Sequence, residues 1–229
     1  EDIYYKDLAL DDEELKVLRI RYRALLEIYY SNTGKQVITP ENFWTWFEAA
    51  KTSTPTCWDF WEWCSGTAIW SWRAECAGLH VGFPVDFRYG WNLREKRHHT
   101  MLEEARQYFL PVVLGAALDC RSWGKAGSRK RAEVRKAEQE RESGYLSFIQ
   151  RCDESQNACG LGYLNENPRG TDLFDKSPMK KNVKISGDTR NFTEQCQFGA
   201  VDDAFCPIQK STILESNLPL KKAILRCVD

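Results

Sequence analysis

Leu15, Leu18, Tyr22, Leu25 and Tyr29 recur at alternating spacings of three and four and draw one apolar stripe along residues 12–30. Val17, Ile20, Ala24 and Ile28 draw a second stripe on the opposite face, with Lys16, Arg19, Arg23 and Glu27 between them. Asp11 and Asp12 suit the start of this helix, Glu13 and Glu14 its positive end, and Gly34 its stop. A helix apolar on two sides belongs between two layers, so the pattern predicts a central helix.

Thr39-Pro40-Glu41 predicts the next helix start, with Phe43, Trp44, Trp46 and Phe47 carried to about Lys51. Beyond the break at Pro55, Thr56 and Asp59 resemble a capping pair and predict a short helix to Cys64. Ser65-Gly66 turns the chain, and Thr67 caps a third helix that ends at Gly78. Residues 79–91 read as loop, although Val81, Phe83, Val85 and Phe87 alternate and leave room for a short strand. Asn92 opens a long helix through Phe109; Pro111 kinks or ends it, and helix resumes to Cys120. Ser128 caps a charged helix supported by pairs such as Arg129 with Glu133, and Tyr145, Leu146, Phe148 and Ile149 dock its far end. Residues 153–200 are polar and rich in Gly, Asn, Asp and Pro, which predicts an irregular region with a strand at 182–185. Residues 218–227 read as a last short helix, and no internal repeat is visible.

The predicted fold is mainly α: a disulfide-stapled helical bundle with a long irregular C-terminal region and room for one short hairpin. Its divisions are a helical core at 1–152 and a cysteine-tied region at 153–229, or one domain over 1–229. Nine cysteines carry the disulfide expectation: Cys57, Cys64, Cys76, Cys120, Cys152, Cys159, Cys196, Cys206 and Cys227. None forms a CxxC pair and no histidine stands at zinc-finger spacing, so bridges fit them better than zinc. Bridges imply a secreted, extracellular protein, and the acidic start without a leader then fits either a mature form or an expressed fragment. Asn191-Phe192-Thr193 is a glycosylation sequon. The longest apolar run, residues 109–118, is too short to span a bilayer.

Seven of the nine tryptophans fall between Trp44 and Trp72. Each buries roughly 150–250 Å² and wants a partner for its indole N–H. The block is therefore a core or a recognition surface. Trp58, Trp61, Trp63, Trp70 and Trp72 cannot all face inward on short helices, which makes them the candidate binding residues.

Glu95, His99 and Glu103 share one helical face and allow a metal ladder, but Arg94, Lys96 and Arg106 crowd the same helix and favour a solvated ion-pair row. His98 falls beside the apolar stripe and reads as a hydrogen-bonded, partly buried histidine. Arg121, Lys125, Arg129, Lys130, Arg131, Arg135 and Lys136 form a basic run, followed by the Glu-rich 138–142. With a net charge of -1, nucleic acid is a disfavoured partner. The dibasic pairs Lys96-Arg97 and Lys130-Arg131 lie in predicted helix, which protects them from processing.

HExxH, GxSxG, GxxxxGK[ST] and GxGxxG motifs are absent, so no catalytic residues, metal or cofactor are assigned and an enzyme is disfavoured. These observations point to a secreted effector- or toxin-like protein that binds a host or competitor macromolecule. The alternatives are a secreted carrier of a lipid, sugar or aromatic ligand, and a secreted carboxylate-dependent hydrolase using Glu103, His98 or His99.

Overall fold

The computed structural model describes residues 30, 33–53, 57–124, 127, 129–194 and 211–220. The predicted central helix lies outside the described residues, apart from Tyr30, and so do Cys196, Cys206 and Cys227.

Asn42 shapes the start of the first described helix, α1 (Phe43–Ser53). Its carboxamide oxygen accepts from Thr39 N at 2.8 Å and its backbone oxygen from Trp46 N at 3.0 Å. The next segment departs from the predicted helix. Phe60–Trp63 is a strand, β1, whose side chains meet two different environments. Trp61 and Trp63 are fully buried on one side, where Trp63 stacks on Phe148 at 5.4 Å. Phe60 and Glu62 point the other way, toward α2 (Ile69–Cys76), and Glu62 accepts from Ser71. A strand buried on both faces loses the polar alternation that marks a half-buried one.

The remaining elements are α3 (Lys96–Phe109), β2 (Val113–Ala117), α4 (Ala132–Ala158), β3 (Gly162–Pro168), α5 (Leu173–Lys176), β4 (Thr189–Glu194) and β5 (Ser211–Ser216). Short 3-10 turns cover Phe87–Tyr89 and Pro178–Lys184. The strands form one mixed sheet in the order β1-β2-β3-β5-β4. β1, β2 and β3 are parallel, with Trp63 beside Ala116 and Ala117 beside Glu166. β5 runs antiparallel to both its neighbours, so β4 points the same way as β1–β3. Val81 and Val85 bridge in parallel to Phe60 and Trp63, on the free edge of β1. From β1 the chain thus goes outward to residues 81–85 and then crosses back to β2 on the other side.

Aromatic rings fill the layer under β1. Trp58 stacks on Phe109 at 4.2 Å, and Phe83 stacks on Trp91 at 5.5 Å. The indole nitrogens of Trp61 and Trp91 donate to Phe83 O (2.6 Å) and Ile38 O (2.9 Å). Two glycines make room for rings, Gly82 on the side of this layer and Gly115 on the side that faces α2. A β-carbon on Gly82 would lie 2.6 Å from the rings of Trp58 and Trp61, and one on Gly115 would lie 2.8 Å from Phe60.

This sheet corrects the predicted disulfide-stapled, all-α bundle. The segment before Cys64 and the segment after Pro111 are strands, not helices. The C-terminal region read as irregular supplies β3, β4 and β5, and the strand predicted at 182–185 falls instead on the Pro178–Lys184 turn. The sheet takes strands from both sides of residue 152.

Among the described residues no disulfide forms. Cys57, Cys64, Cys76, Cys152 and Cys159 are free thiols, and Cys120 is half-buried. Cys152 and Cys159, seven residues apart along one helix, stand about 10 Å apart at 1.5 Å per residue, beyond bridging range. A chain of this length also buries enough core to do without staples. Among the described residues, no helix is long and apolar enough to cross a membrane.

Alkylation of the native protein without reductant is therefore expected to modify the exposed Cys57, Cys76 and Cys159, and the buried Cys152 only on unfolding. Peptide mapping by mass spectrometry checks this; labelling that required prior reduction would contradict the disulfide-free sheet.

Candidate functional site at the carboxyl edge of the sheet

Where a parallel sheet reverses its strand order, the loops beyond the carboxyl ends of the strands diverge and leave a crevice. Here that point lies at β1 and β2. The turn after β1 is unusual. Cys64, Gly66 and Ala68 all take left-handed backbone angles, with φ of 52°, 52° and 57°. For Cys64 and Ala68 such angles cost energy that the surroundings must supply. Ser65 N donates to Val85 O at 3.1 Å, and Gly66 N to Asp86 Oδ2 at 2.9 Å. Tyr89 OH reaches Gly66 O at 3.3 Å. This fixed turn replaces a side-chain cap on α2, and the predicted cap Thr67 is not used.

Asp86 stands at the tip of the 81–85 run, twenty residues after Gly66. It also accepts from Arg88 N at 3.0 Å, and burial pushes its carboxyl up. Glu62, one strand position before the end of β1, is 3% exposed and is pushed up to about 7 by burial, against the hydrogen bonds from Ser71.

At the end of β2, the backbone of Leu118–Trp123 is clasped from several elements. Glu142 of α4 accepts from Ser122 Oγ and, at 2.7 Å, from Trp123 Nε1. Arg135 and Gln139 donate to Ser122 O at 3.0 and 2.9 Å, and Asn167 of β3 donates to Leu118 O at 2.7 Å. Arg94 lies 3.8 Å from the other oxygen of Glu142, whose carboxyl burial pushes up. The clasp presents Asp119, Cys120 and Arg121. Burial alone would raise Asp119, but the hydrogen bonds from Arg121, 2.6 Å away at the closest, hold it below the usual carboxylate range. Glu166, beside Ala117 in register and 9% exposed, sits near the end of β3.

Trp63 Nε1, Ser65 Oγ and Tyr145 OH are buried here without a hydrogen-bond partner. Tyr145 lies within electrostatic reach of Cys64, Glu142 and Asp119, so these groups belong to one locality. All three can donate. Buried donors without acceptors are rare in native proteins and mark a place that a ligand or ordered water completes.

Of the tryptophans singled out by sequence, Trp58, Trp61 and Trp63 are core residues, while Trp70 and Trp72 are half-buried on α2. Glu95 and Glu103 turn to Arg97 (2.7 Å) and Arg106 (2.7 Å), and His99 stacks on Phe148 at 4.1 Å with Nε2 on Leu93 O. That face is thus an ion-pair row, and among the described residues no metal-holding cluster forms. His98 is buried, with Nδ1 accepting from Asn92 N at 2.9 Å. In the basic run, Lys130 pairs with Glu138 and Arg135 with Asp172; Lys125 lies outside the described residues. Asn191 lies half-buried on β4, and the Thr193 of its sequon is buried.

Sequence reasoning missed Asp86, Cys120 and Glu166. The available signal was a Gly-bearing turn after an apolar run, with an aspartate about twenty residues on, behind the alternating Val81, Phe83 and Val85. No protein-family model and no curated protein sequence matches the chain.

Truncating the clasp leaves Trp123 Nε1 and Ser122 Oγ buried without their acceptor. Glu142→Ala is expected to lower stability by about 1–3 kcal/mol and to speed alkylation of Cys120 relative to Cys152. Urea denaturation and peptide mapping measure the two effects.

Proposed function

We propose that the chain binds a nucleoside cofactor without phosphates at the carboxyl ends of β1 and β2 and uses it for group transfer. S-adenosylmethionine is the common cofactor of that description. The observation that carries the reading is Asp86, at the tip of the run beside β1 and twenty residues past Gly66. A carboxylate in that place accepts from ribose hydroxyls in nucleoside-binding α/β sheets.

The electrostatics select among nucleosides. Glu62, Asp86, Asp119, Glu142 and Glu166 gather at this edge, and the amide of Gly66 is already committed to Asp86. Such a lining repels phosphates and favours a cation, such as a sulfonium. The unpartnered Trp63, Ser65 and Tyr145 supply donors for the ligand's acceptors.

A second reading is the secreted interaction protein. It is favoured by Trp44, 45% exposed on α1, and by the half-buried Trp70 and Trp72 beside the exposed Ile69.

Calorimetric titration with S-adenosylmethionine, adenosine, ATP and NAD separates the two. Saturable binding of S-adenosylmethionine, none of ATP, and at least about tenfold weaker binding by folded Asp86→Asn are expected; loss of one charged hydrogen bond accounts for that size. If none of the four binds, or if Asp86→Asn binds as the wild type does, the cofactor reading falls.

A further inference from the structure

On the opposite face of β3 from Glu166, the buried polar groups lack the other kind of partner. Asp153 of α4 lies against Asn165 of β3, Asn182 of the Pro178–Lys184 turn and Glu215 of β5, all of them 1% exposed or less. Asp153 Oδ2 accepts from the carboxamides of Asn165 (2.7 Å) and Asn182 (2.8 Å). The Asn182 carboxamide also donates to Glu215 Oε2 at 3.1 Å, so one NH2 group bridges the two acids. Asp153 Oδ1, Asn165 Oδ1 and Asn182 Oδ1 are left without partners. Every one of them is an acceptor, and the cluster's carboxamide hydrogens already point at carboxylates. What is missing is a donor. Protonating a carboxyl group creates one, because it turns an acceptor oxygen into an O–H.

We propose that Asp153 and Glu215 form one buried proton-binding site, protonated at neutral pH, and that its deprotonation loosens α4 from the Pro178–Lys184 turn and the β4–β5 hairpin.

The charges facing the pair bear on it from each element. Glu154 lies beside Asp153 on α4. Tyr163 of β3 donates its hydroxyl to Asp188 at 2.6 Å, and Asp188 acts on both acids. Arg190 of β4 donates to Glu215 Oε1 at 3.2 Å, but divides its guanidinium between Asp175 of α5 (2.5 Å) and Phe174 O (2.7 Å). Arg190 is the cation of the cluster among the described residues, and acids outnumber it. Burial, the largest cause, pushes Asp153 up to about 7 and Glu215 up to about 8, with Asp188 adding to both.

The sign follows from linkage. Both groups hold protons more tightly folded than unfolded. Their contribution is complete below the ordinary carboxylate range and is lost as pH rises through about 7 to 8.

Urea denaturation between pH 6 and 9 tests the proposal on the intact chain. The wild type is expected to lose stability across this window, its unfolding constant rising about tenfold or more, as one pKa unit corresponds to tenfold. Asp153→Asn, which keeps the shape of the neutral acid, should reduce that slope by the share of one of the two groups and be the more stable protein at pH 9. An unchanged slope in Asp153→Asn overturns the proposal. Should that variant not fold, hydrogen exchange on the wild type decides. Protection lost at pH 9 in residues 178–194 and 211–216, but kept in β1 and β2 after correction for the intrinsic rate, supports the site. Uniform change across the strands refutes it.

Discussion

The structure depends on the burial of Trp61 and Trp63 beneath β1. These two rings, with Trp58, Phe83, Trp91, Phe109 and Phe148 around them, anchor the first strand between the returning edge at 81–85 and β2. Their size dictates other choices in the chain. Gly82 must lack a side chain where the rings of Trp58 and Trp61 press on the neighbouring run, and the indole nitrogen of Trp61 must find a backbone carbonyl. Once β1 is fixed there, the carboxyl ends of β1, β2 and β3 stand side by side. The turn at Cys64–Ala68 and the clasped segment at Leu118–Trp123 then share one edge.

The buried polar groups around the sheet carry two opposite deficits. The edge near Asp86 holds buried donors without acceptors, and the cluster around Asp153 holds buried acceptors without donors. Each deficit names the chemistry that would complete it. An acidic mouth with spare donors suits a cationic ligand that also carries acceptor atoms. An amide-lined acid pair suits a proton. Two of the spare donors, Trp63 Nε1 and Tyr145 OH, belong to core side chains, whereas the spare acceptors lie among the polar residues of α4, β3 and the Pro178–Lys184 turn.

The helices were legible before the structure, because helix signals are local. Residues 43–53, 96–109 and 132–149 fall where periodicity, charge pairs and turn residues place them, although the last helix runs on to Ala158, into the region expected to be irregular. The strands were not. β1 and β2 are short and buried on both faces, so they lack the in-and-out polarity of a half-buried strand, and capping-like residues at Thr56 and Asp59 imitate a helix start. The alternation of Val81, Phe83 and Val85 was read as room for a strand, and it does border β1. The cysteines misled for a related reason: spacing along a chain says nothing about distance between thiols, which the sheet sets.

By itself, the sequence determined the helical periods, the stops at glycine and proline, the aromatic mass that has to be buried and the near balance of charge. These follow from residue type and near neighbours. Tertiary structure alone decided that the tryptophans lie under a sheet, that Asp86, Cys120 and Glu166 stand near the ends of three adjoining runs, and that Asp153 and Glu215 share an amide. The partners in each case are separated by tens of residues, and parallel pairing, whose hydrogen bonds join distant segments, leaves no local signature in the chain.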